Sequence, residues 1–307
     1  MRSRRPTADR ARGHHVWAIL GRTGRSFYDD QMTHHAAALT YYALMSLFPA
    51  VLLALSLLGL IGEYPRTYNA IVGYLRDLVP ASTLGVIDSS LRAALREKGT
   101  AVGALAIAVA TALYGTTGVL EAARRALNVA FEVERGRSFL RRKAIDVAST
   151  IVLMGLVLVT VTLMFVGGGL ARDVFGLVGI GSGAAHVWSV ARWPAAVAAA
   201  MLVFAWVYYV TPDVHHRAFR WITPGAATGV ALWVLASAAF SIYLSNFASV
   251  SAVYGAFTGA ILLVAWLWLS NVALLFGAEL NAEIEREKEI EEGTPPHATL
   301  AMPAKDG

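Results

Sequence analysis

The sequence predicts an all-α polytopic membrane protein with six transmembrane helices, short external amphipathic helices between spans 1 and 2, and both termini cytoplasmic. Three observations lead there: charges are withdrawn from long stretches, the composition is too apolar for a water-soluble globule, and Lys and Arg favour alternate loops. Of 307 residues, 56% are hydrophobic and 15% charged, where a soluble chain carries roughly 25% charged residues. Charge-free gaps run from Asp30 to Glu63, Lys98 to Glu121, Asp146 to Arg172, Arg192 to Asp213 and Arg220 to Glu279. About 20 apolar helical residues cross the hydrocarbon layer. The last gap therefore holds two helices, divided where polarity rises around Ser245, Asn246, Phe247, Ala248 and Ser249.

Taken in order, residues 1–32 form a cytoplasmic segment whose part from 16 to 31 sets Trp17, Ile19, Leu20, Phe27 and Tyr28 beside Arg22 and Arg25. That mixture predicts an interfacial helix. Six spans follow within a transmembrane domain of residues 33–284, at about 36–61, 100–120, 145–170, 192–211, 224–245 and 253–278. In the first, Pro49 lacks an N–H and is expected to kink the helix, freeing a carbonyl near Met45. In the third, 11 of the residues from Ile151 to Val166 are Ile, Leu, Val or Phe, together worth roughly 3 to 7 kcal/mol of insertion free energy. A soluble helix of such length needs a polar face, and no charge lies between Trp221 and Ala278 to make one.

Between the first two spans, Tyr68, Ile71, Val72, Leu75, Leu78 and Val79 recur at helical spacing, as do Leu84, Ile87, Leu91 and Leu95 after Pro80. Two short amphipathic external helices are predicted, lying in the outer interface or covering helix ends. After span six, Glu279 to Glu292 continues the helix into water with seven Glu residues, and Gly293, Thr294, Pro295 and Pro296 stop it. Residues 285–307 form an acidic cytoplasmic tail. The ends, 1 to about 12 and 293–307, are expected to be disordered. The first apolar run begins beyond residue 35, too far along for a cleaved signal peptide.

Six spans put both termini on one side. That side collects 19 of the 26 Lys and Arg residues, against 7 on the other, so it is predicted to be cytoplasmic. The net charge of +5 thus reads as a membrane address. The basic stretch Arg124, Arg125, Arg135, Arg137, Arg141, Arg142 and Lys143 is accompanied only by Phe131 and Phe139. Nucleic-acid binding, which uses aromatic stacking, is therefore not expected; anionic lipid headgroups are the partner that fits. Cys is absent, which excludes disulfides, thiolate nucleophiles and cysteine metal sites.

Several short motifs occur in series: Tyr41 to Pro49 reads Y-Y-A-L-M-S-L-F-P, Arg124 to Asn128 reads R-R-A-L-N, and Pro224 with Gly225 opens span five. Tyr243, Leu244, Ser245, Asn246 and Phe247 close that span, Tyr254 and Gly255 open the next, and Gly277 to Ala282 reads G-A-E-L-N-A. In this order, over about residues 25–290, they resemble the YihY/virulence factor BrkB family of bacterial inner-membrane proteins; the turn at Val250 and Ser251 departs from the family pattern. The resemblance implies a six-helix protein of the bacterial cytoplasmic (inner) membrane, linked to the envelope and, in some members, proposed to act in lipid transport. It also carries an old ribonuclease BN label.

That label does not match the residue chemistry. Phosphodiester hydrolysis uses grouped His and acidic metal ligands or an acid–base pair. Six of the eight histidines, His14, His15, His34, His35, His215 and His216, form adjacent pairs whose side chains do not share a helix face. His215 and His216 with Asp213 could ligate a metal, but interfacial histidines are commoner. No enzyme, cofactor or metal is expected.

No acid, Lys or Arg lies at mid-span, which weakens the case for an ion channel or coupled pump. The polar groups inside the spans are neutral. Their bland use is helix-to-helix bonding, and Gly99 with Gly103, Gly225 with Gly229, and Gly255 with Gly259 permit close approach. The functional reading is a groove lined by spans one, two, five and six, handling or transporting lipid or another amphipathic envelope component. Its lining is Tyr41, Tyr42, Ser46, Pro49, Tyr114, Tyr243, Asn246 and Asn271, with Arg124 and Arg125 contacting anionic headgroups. The rival readings are a scaffold or accessory subunit docking an envelope protein partner, and an exporter of small amphipathic solutes.

Overall fold

A computed structural model describes residues 8–61, 68, 69, 72, 73, 88, 92, 98–133, 138–165, 182–214, 223–247 and 256–293. Seven long helices account for nearly all of them: α1 Ala8–Asp29, α2 Met32–Ile61, α3 Lys98–Ala130, α4 Phe139–Phe165, α5 Ser182–Val210, α6 Pro224–Phe247 and α7 Ala256–Glu291. The fold class is all-α, with no strand among the described residues. Among the described residues, three helices contain stretches long and apolar enough to cross a membrane: Val187–Val210, Pro224–Leu244 and Gly259–Glu291.

Local chemistry explains the helix ends. Thr223 is the N-cap of α6: its Oγ1 accepts from the Ala226 N–H at 3.0 Å, while Pro224 takes the first helical position, where a missing N–H costs nothing. At the end of α3, the N–H groups of Glu132 and Val133 donate to the carbonyls of Val129 (3.0 Å) and Asn128 (2.8 Å). This is a Schellman ending with Glu132 in the left-handed conformation at φ 52°. Gln31, at φ 53°, turns the chain between α1 and α2. Gly293, at φ 102°, follows α7 where the sequence places its stop.

The helices overrun the predicted spans. α1 begins at Ala8, so residues 8–12 are helical rather than disordered; α3 carries span two through the basic Arg124 and Arg125; and α7 continues to Glu291. At about 1.5 Å per residue, the 36 residues of α7 exceed the hydrocarbon thickness by several turns. Residues 1–7 and 294–307, assigned to the ends, lie outside the described residues. So does most of the segment between α2 and α3, predicted to be external.

The chain divides into two compact units, Tyr41–Val119 and the remainder. In the smaller unit, α2 and α3 approach closely at two glycines. A Cβ on Gly118 would lie 2.8 Å from Tyr42 Cδ1, and one on Gly115 would lie 3.3 Å from Ser46 Cα. The described residues between α2 and α3 are helical and pair with each other: Arg92 Nε donates to Asp88 at 2.9 Å, the Arg92 guanidinium lies 4.6 Å from the centre of the Tyr68 ring, and Tyr68 and Val72 are buried.

In the larger unit, α6 and α7 form an antiparallel pair. Trp233 Nε1 donates to Ser270 Oγ at 3.1 Å and Trp266 Nε1 to Ser237 Oγ at 3.2 Å, so each helix supplies one indole and one hydroxyl. α4 packs on α5, α1 on α7, and α5 on α6. The most apolar windows of α6 and α7 are only 11% buried, and Leu235, Ile242 and Ile261 are exposed. Water would not tolerate such surfaces; lipid would.

Candidate functional site

The described polar residues of the larger unit concentrate where the end of α3, the start of α4, the end of α5, the start of α6 and the later turns of α7 meet. Arg124 on α3 is the centre of one cluster, with 2% of its surface exposed. Its Nη2 and Nη1 both donate to the Asp146 carboxylate on α4, Nη1 at 3.3 Å. Nη1 also donates to Glu121 at 2.9 Å, and Nε stands 3.7 Å from Asp213 Oδ1 beyond the end of α5.

Asn128, one helical turn after Arg124, holds Asp213 at two points. Its Nδ2 donates to Asp213 Oδ2 at 3.1 Å, and its Oδ1 accepts from the Asp213 N–H at 3.0 Å. Asp146 and Asp213 are both buried. A planar, permanently charged fork bridging two such carboxylates suits arginine and not lysine. The R-R-A-L-N motif is thus read one residue at a time: Arg124 and Asn128 face inward and lock α3 to α4 and α5. Arg125 is 75% exposed and faces outward.

A second cluster joins α1 to α7. Ser26 Oγ donates to Glu283 Oε1 at 2.8 Å, Arg22 Nε donates to Glu283 Oε2 at 3.3 Å, and Arg22 also pairs with Glu287. The Phe27 and Phe276 rings pack with centroids 5.8 Å apart. Arg286 pairs with Glu132 at the end of α3. One turn before Glu283, Glu279 is 1% exposed, and the register set by Arg22–Glu287 and Ser26–Glu283 places it opposite Asp30 in the turn between α1 and α2.

Between these clusters α6 crosses α7 backbone to backbone. A Cβ on Gly225 would lie 2.0 Å from the Gly277 carbonyl oxygen, and one on Gly277 would lie 2.4 Å from that of Gly225. Asn281 closes the crossing: Oδ1 accepts from the Gly225 N–H at 2.9 Å and Nδ2 donates to Thr223 Oγ1 at 3.0 Å. Tyr208 on α5 donates to the Leu274 carbonyl at 2.5 Å. Gly229, the other member of its pair, faces Phe204 and Tyr208. Gly103 and Gly259 meet nothing among the described residues.

The residues predicted for the groove are placed as follows. Tyr41, Tyr42, Ser46 and Pro49 follow one another on α2, with the Tyr41 and Tyr42 rings edge to face at 5.4 Å. Ser46 Oγ donates to the Ala43 carbonyl within its own helix at 2.8 Å. Asn271 Nδ2 donates to Thr40 Oγ1 at 3.0 Å, bonding α7 to α2. Tyr243 is exposed and stacked on Phe240, with centroids 6.4 Å apart. The side chains of Tyr114 and Asn246 lie outside the described residues.

Arg124 needs correction. It was expected at a lipid headgroup, but its guanidinium is buried among carboxylates, which leaves outward contact to Arg125. Asp213, expected as a candidate metal ligand, is engaged by Asn128 and Arg124; His215 and His216 lie outside the described residues. Asp146, Glu279, Asn128, Asn281 and Asp30 were not singled out as site residues. The available signal was their position, since all are polar groups at the edges of apolar runs or inside the motifs themselves.

The chain matches the family described as Virulence factor BrkB over residues 23–301. Among curated relatives, it is 29% identical to the "Putative ribonuclease-like protein YfkH" of Bacillus subtilis (strain 168), over 85% of this chain and 93% of that protein. It is 26% identical to a "UPF0761 membrane protein" of Xanthomonas campestris pv. campestris (strain B100), over 90% of this chain and 62% of that one. The same identity and coverage hold for a "UPF0761 membrane protein" of Xanthomonas oryzae pv. oryzae (strain PXO99A), so the chain spans under two thirds of these Xanthomonas relatives. No solved structure gives a significant match. By the extent of that family match, the chain is a membrane protein of the virulence factor BrkB family.

Proposed function

We propose that this is a non-enzymatic protein of the bacterial inner membrane that handles lipid or another amphipathic envelope component. α2, α3 and α4 complete six spans with the three described above, and the excess of Lys and Arg sets both termini in the cytoplasm. The observation that carries the lipid reading is the surface of α2. Tyr41 is 59% exposed, so an otherwise apolar helix presents a phenol beside the exposed ring of Tyr42. An amphipathic ring pair at a lipid-facing surface can bond a headgroup or ester oxygen while its body lies against acyl chains. Arg125 is the outward cation for anionic headgroups.

Reconstitution into liposomes with fluorescent phospholipid tests this reading. Lipid binding or transbilayer movement above that of empty liposomes, reduced by Tyr41→Ala with Tyr42→Ala, is the expected result. A protein that neither binds nor moves labelled lipid removes the reading.

A second reading has its own support. The Tyr68, Asp88 and Arg92 contacts tie together the described residues of the external segment, as a docking module would need. Recovery of a stoichiometric envelope partner by the intact protein, lost with Tyr68→Ala, would favour the scaffold.

A further inference from the structure

Asp30 and Glu279 present a chemical contradiction unless something else is bound. The register of α1 on α7, in which Arg22 pairs with Glu287 and Ser26 with Glu283, sets Asp30 opposite Glu279 one turn further on, yet two facing carboxylates are acceptors only and repel. Glu279 is 1% exposed, and its Oε1 has no hydrogen-bond partner. Water reaches the half-buried Asp30 but not the Glu279 carboxyl, which keeps its share of the repulsion unscreened.

The surrounding charges do not relieve it either. From the chain turn Asp29 adds negative charge to Asp30; from the end of α3 Glu132 does the same; and from α7 Glu283 acts on Glu279. The facing cation is Arg286 on α7, whose guanidinium already pairs with Glu132 and lies 4.0 Å from Glu283. On α2, His35 lies near Asp30, but burial pushes its imidazole below the ordinary histidine range, so at neutral pH it supplies little charge. Arg22, the remaining cation of this cluster, is held by Glu283 and Glu287.

We infer that Asp30 and Glu279 form a proton-binding site, one proton held between the two carboxyls and joining the α1–α2 turn to α7. The bound proton makes one oxygen a donor, replacing the repulsion by a short O–H to O bond of the kind that carboxyl dyads use. On release the proton goes to water, no other bond changes, and the buried Glu279 carboxylate faces the half-buried one of Asp30 beside Glu283. The turn at Asp30 then loses its link to α7, and α1 is held only through Arg22, Ser26 and Phe27. Burial, which raises the Asp30 carboxyl above its ordinary range, acts in the same sense. The site is independent of what the protein carries, so it stands or falls separately from the lipid reading.

Infrared difference spectroscopy on the full chain in nanodiscs tests the proton directly. A protonated-carboxyl C=O band present at neutral pH, lost on alkaline titration and missing from both Glu279→Gln and Asp30→Asn, is expected. Its absence from the unaltered protein, or its persistence in both variants, overturns the site. The attachment is read separately, because the chain contains no Cys and a single introduced thiol reports its own position. Thr23→Cys, on the buried face of α1, is expected to react with a maleimide several-fold faster, relative to a free thiol, at alkaline than at neutral pH. Adding Glu279→Gln should abolish that increase. An increase equal in both backgrounds, or none in the first, overturns the coupling.

Discussion

The Arg124 cluster and the Asp30–Glu279 pair both bury carboxyl groups among helix ends, but they neutralise them by different means. Around Arg124, a guanidinium bridges Asp146 and Asp213. Between Asp30 and Glu279 no cation intervenes. A buried carboxylate requires a counter-charge or a proton, and the choice decides whether the contact responds to pH. The first cluster is a fixed rivet between α3, α4 and the end of α5; the second is a contact whose strength depends on its protonation.

The largest effect that tests this contrast is removal of the arginine. Arg124→Ala leaves Asp146 and Asp213 buried without their shared cation and is expected to cost about 3 to 5 kcal/mol, measured by reversible unfolding in mixed micelles. Arg124→Lys should recover only part of that, because an ammonium cannot span both carboxylates as a fork. A loss within experimental error for Arg124→Ala would make the cluster ornamental.

Next comes the crossing that lies between the clusters. Gly225→Ala places a methyl against the Gly277 carbonyl and the Asn281 amide, so the helices must separate, at about 1 to 3 kcal/mol. Gly103→Ala, where nothing lies within 4 Å of the new Cβ, serves as the comparison and should be neutral or slightly stabilising. Equal losses at the two positions would show that helix propensity, not the crossing, sets the cost.

The pH dependence separates the clusters most directly. Since the folded state raises the Asp30 pKa above its ordinary value, the folded protein binds more proton than the unfolded chain. The associated stability is present at acid pH, below the unfolded value of 3.8, and is lost as pH rises through the folded value. Asp30→Asn should flatten that slope. Against its own background, Arg124→Lys should leave the slope in place, and stability against pH measured for both variants decides between them.

The smallest change is expected at Arg125, the exposed neighbour of Arg124. Arg125→Ala breaks only a surface contact with Glu121 and should alter stability by less than about 0.5 kcal/mol. Binding to vesicles containing anionic lipid should still fall, by about 1 kcal/mol at low salt. Adjacent arginines in one motif would then differ several-fold in their effect on folding, and only the exposed one would report on lipid.

Most of the helical architecture was legible in the sequence because the bilayer imposes a one-dimensional rule. Apolar runs must be long and uncharged, and the gaps starting at Arg192 and Arg220 locate α5, α6 and α7 without knowledge of any partner. The ends of the helices were less legible. α3 runs through its basic residues because Arg124 finds carboxylates on other helices, and α7 continues past its last apolar turn because Glu283 finds Ser26 and Arg22.

The candidate site was read least well. The motifs were visible, but their roles depend on partners far away in the chain: Asn128 bonds a residue 85 positions later, and Asn271 bonds one 231 positions earlier. Asn271 was read as a groove residue, and the structure gives it a helix-to-helix hydrogen bond.

By itself the sequence determined that this chain is helical and membrane-seeking, since burying or exposing an apolar run depends on composition and length alone. Only the tertiary structure decided that Arg124 points inward and Arg125 outward, and that Glu279 meets another acid instead of a base. A charge's energy is set by what stands within a few ångströms of it, and that is fixed by how the helices pack.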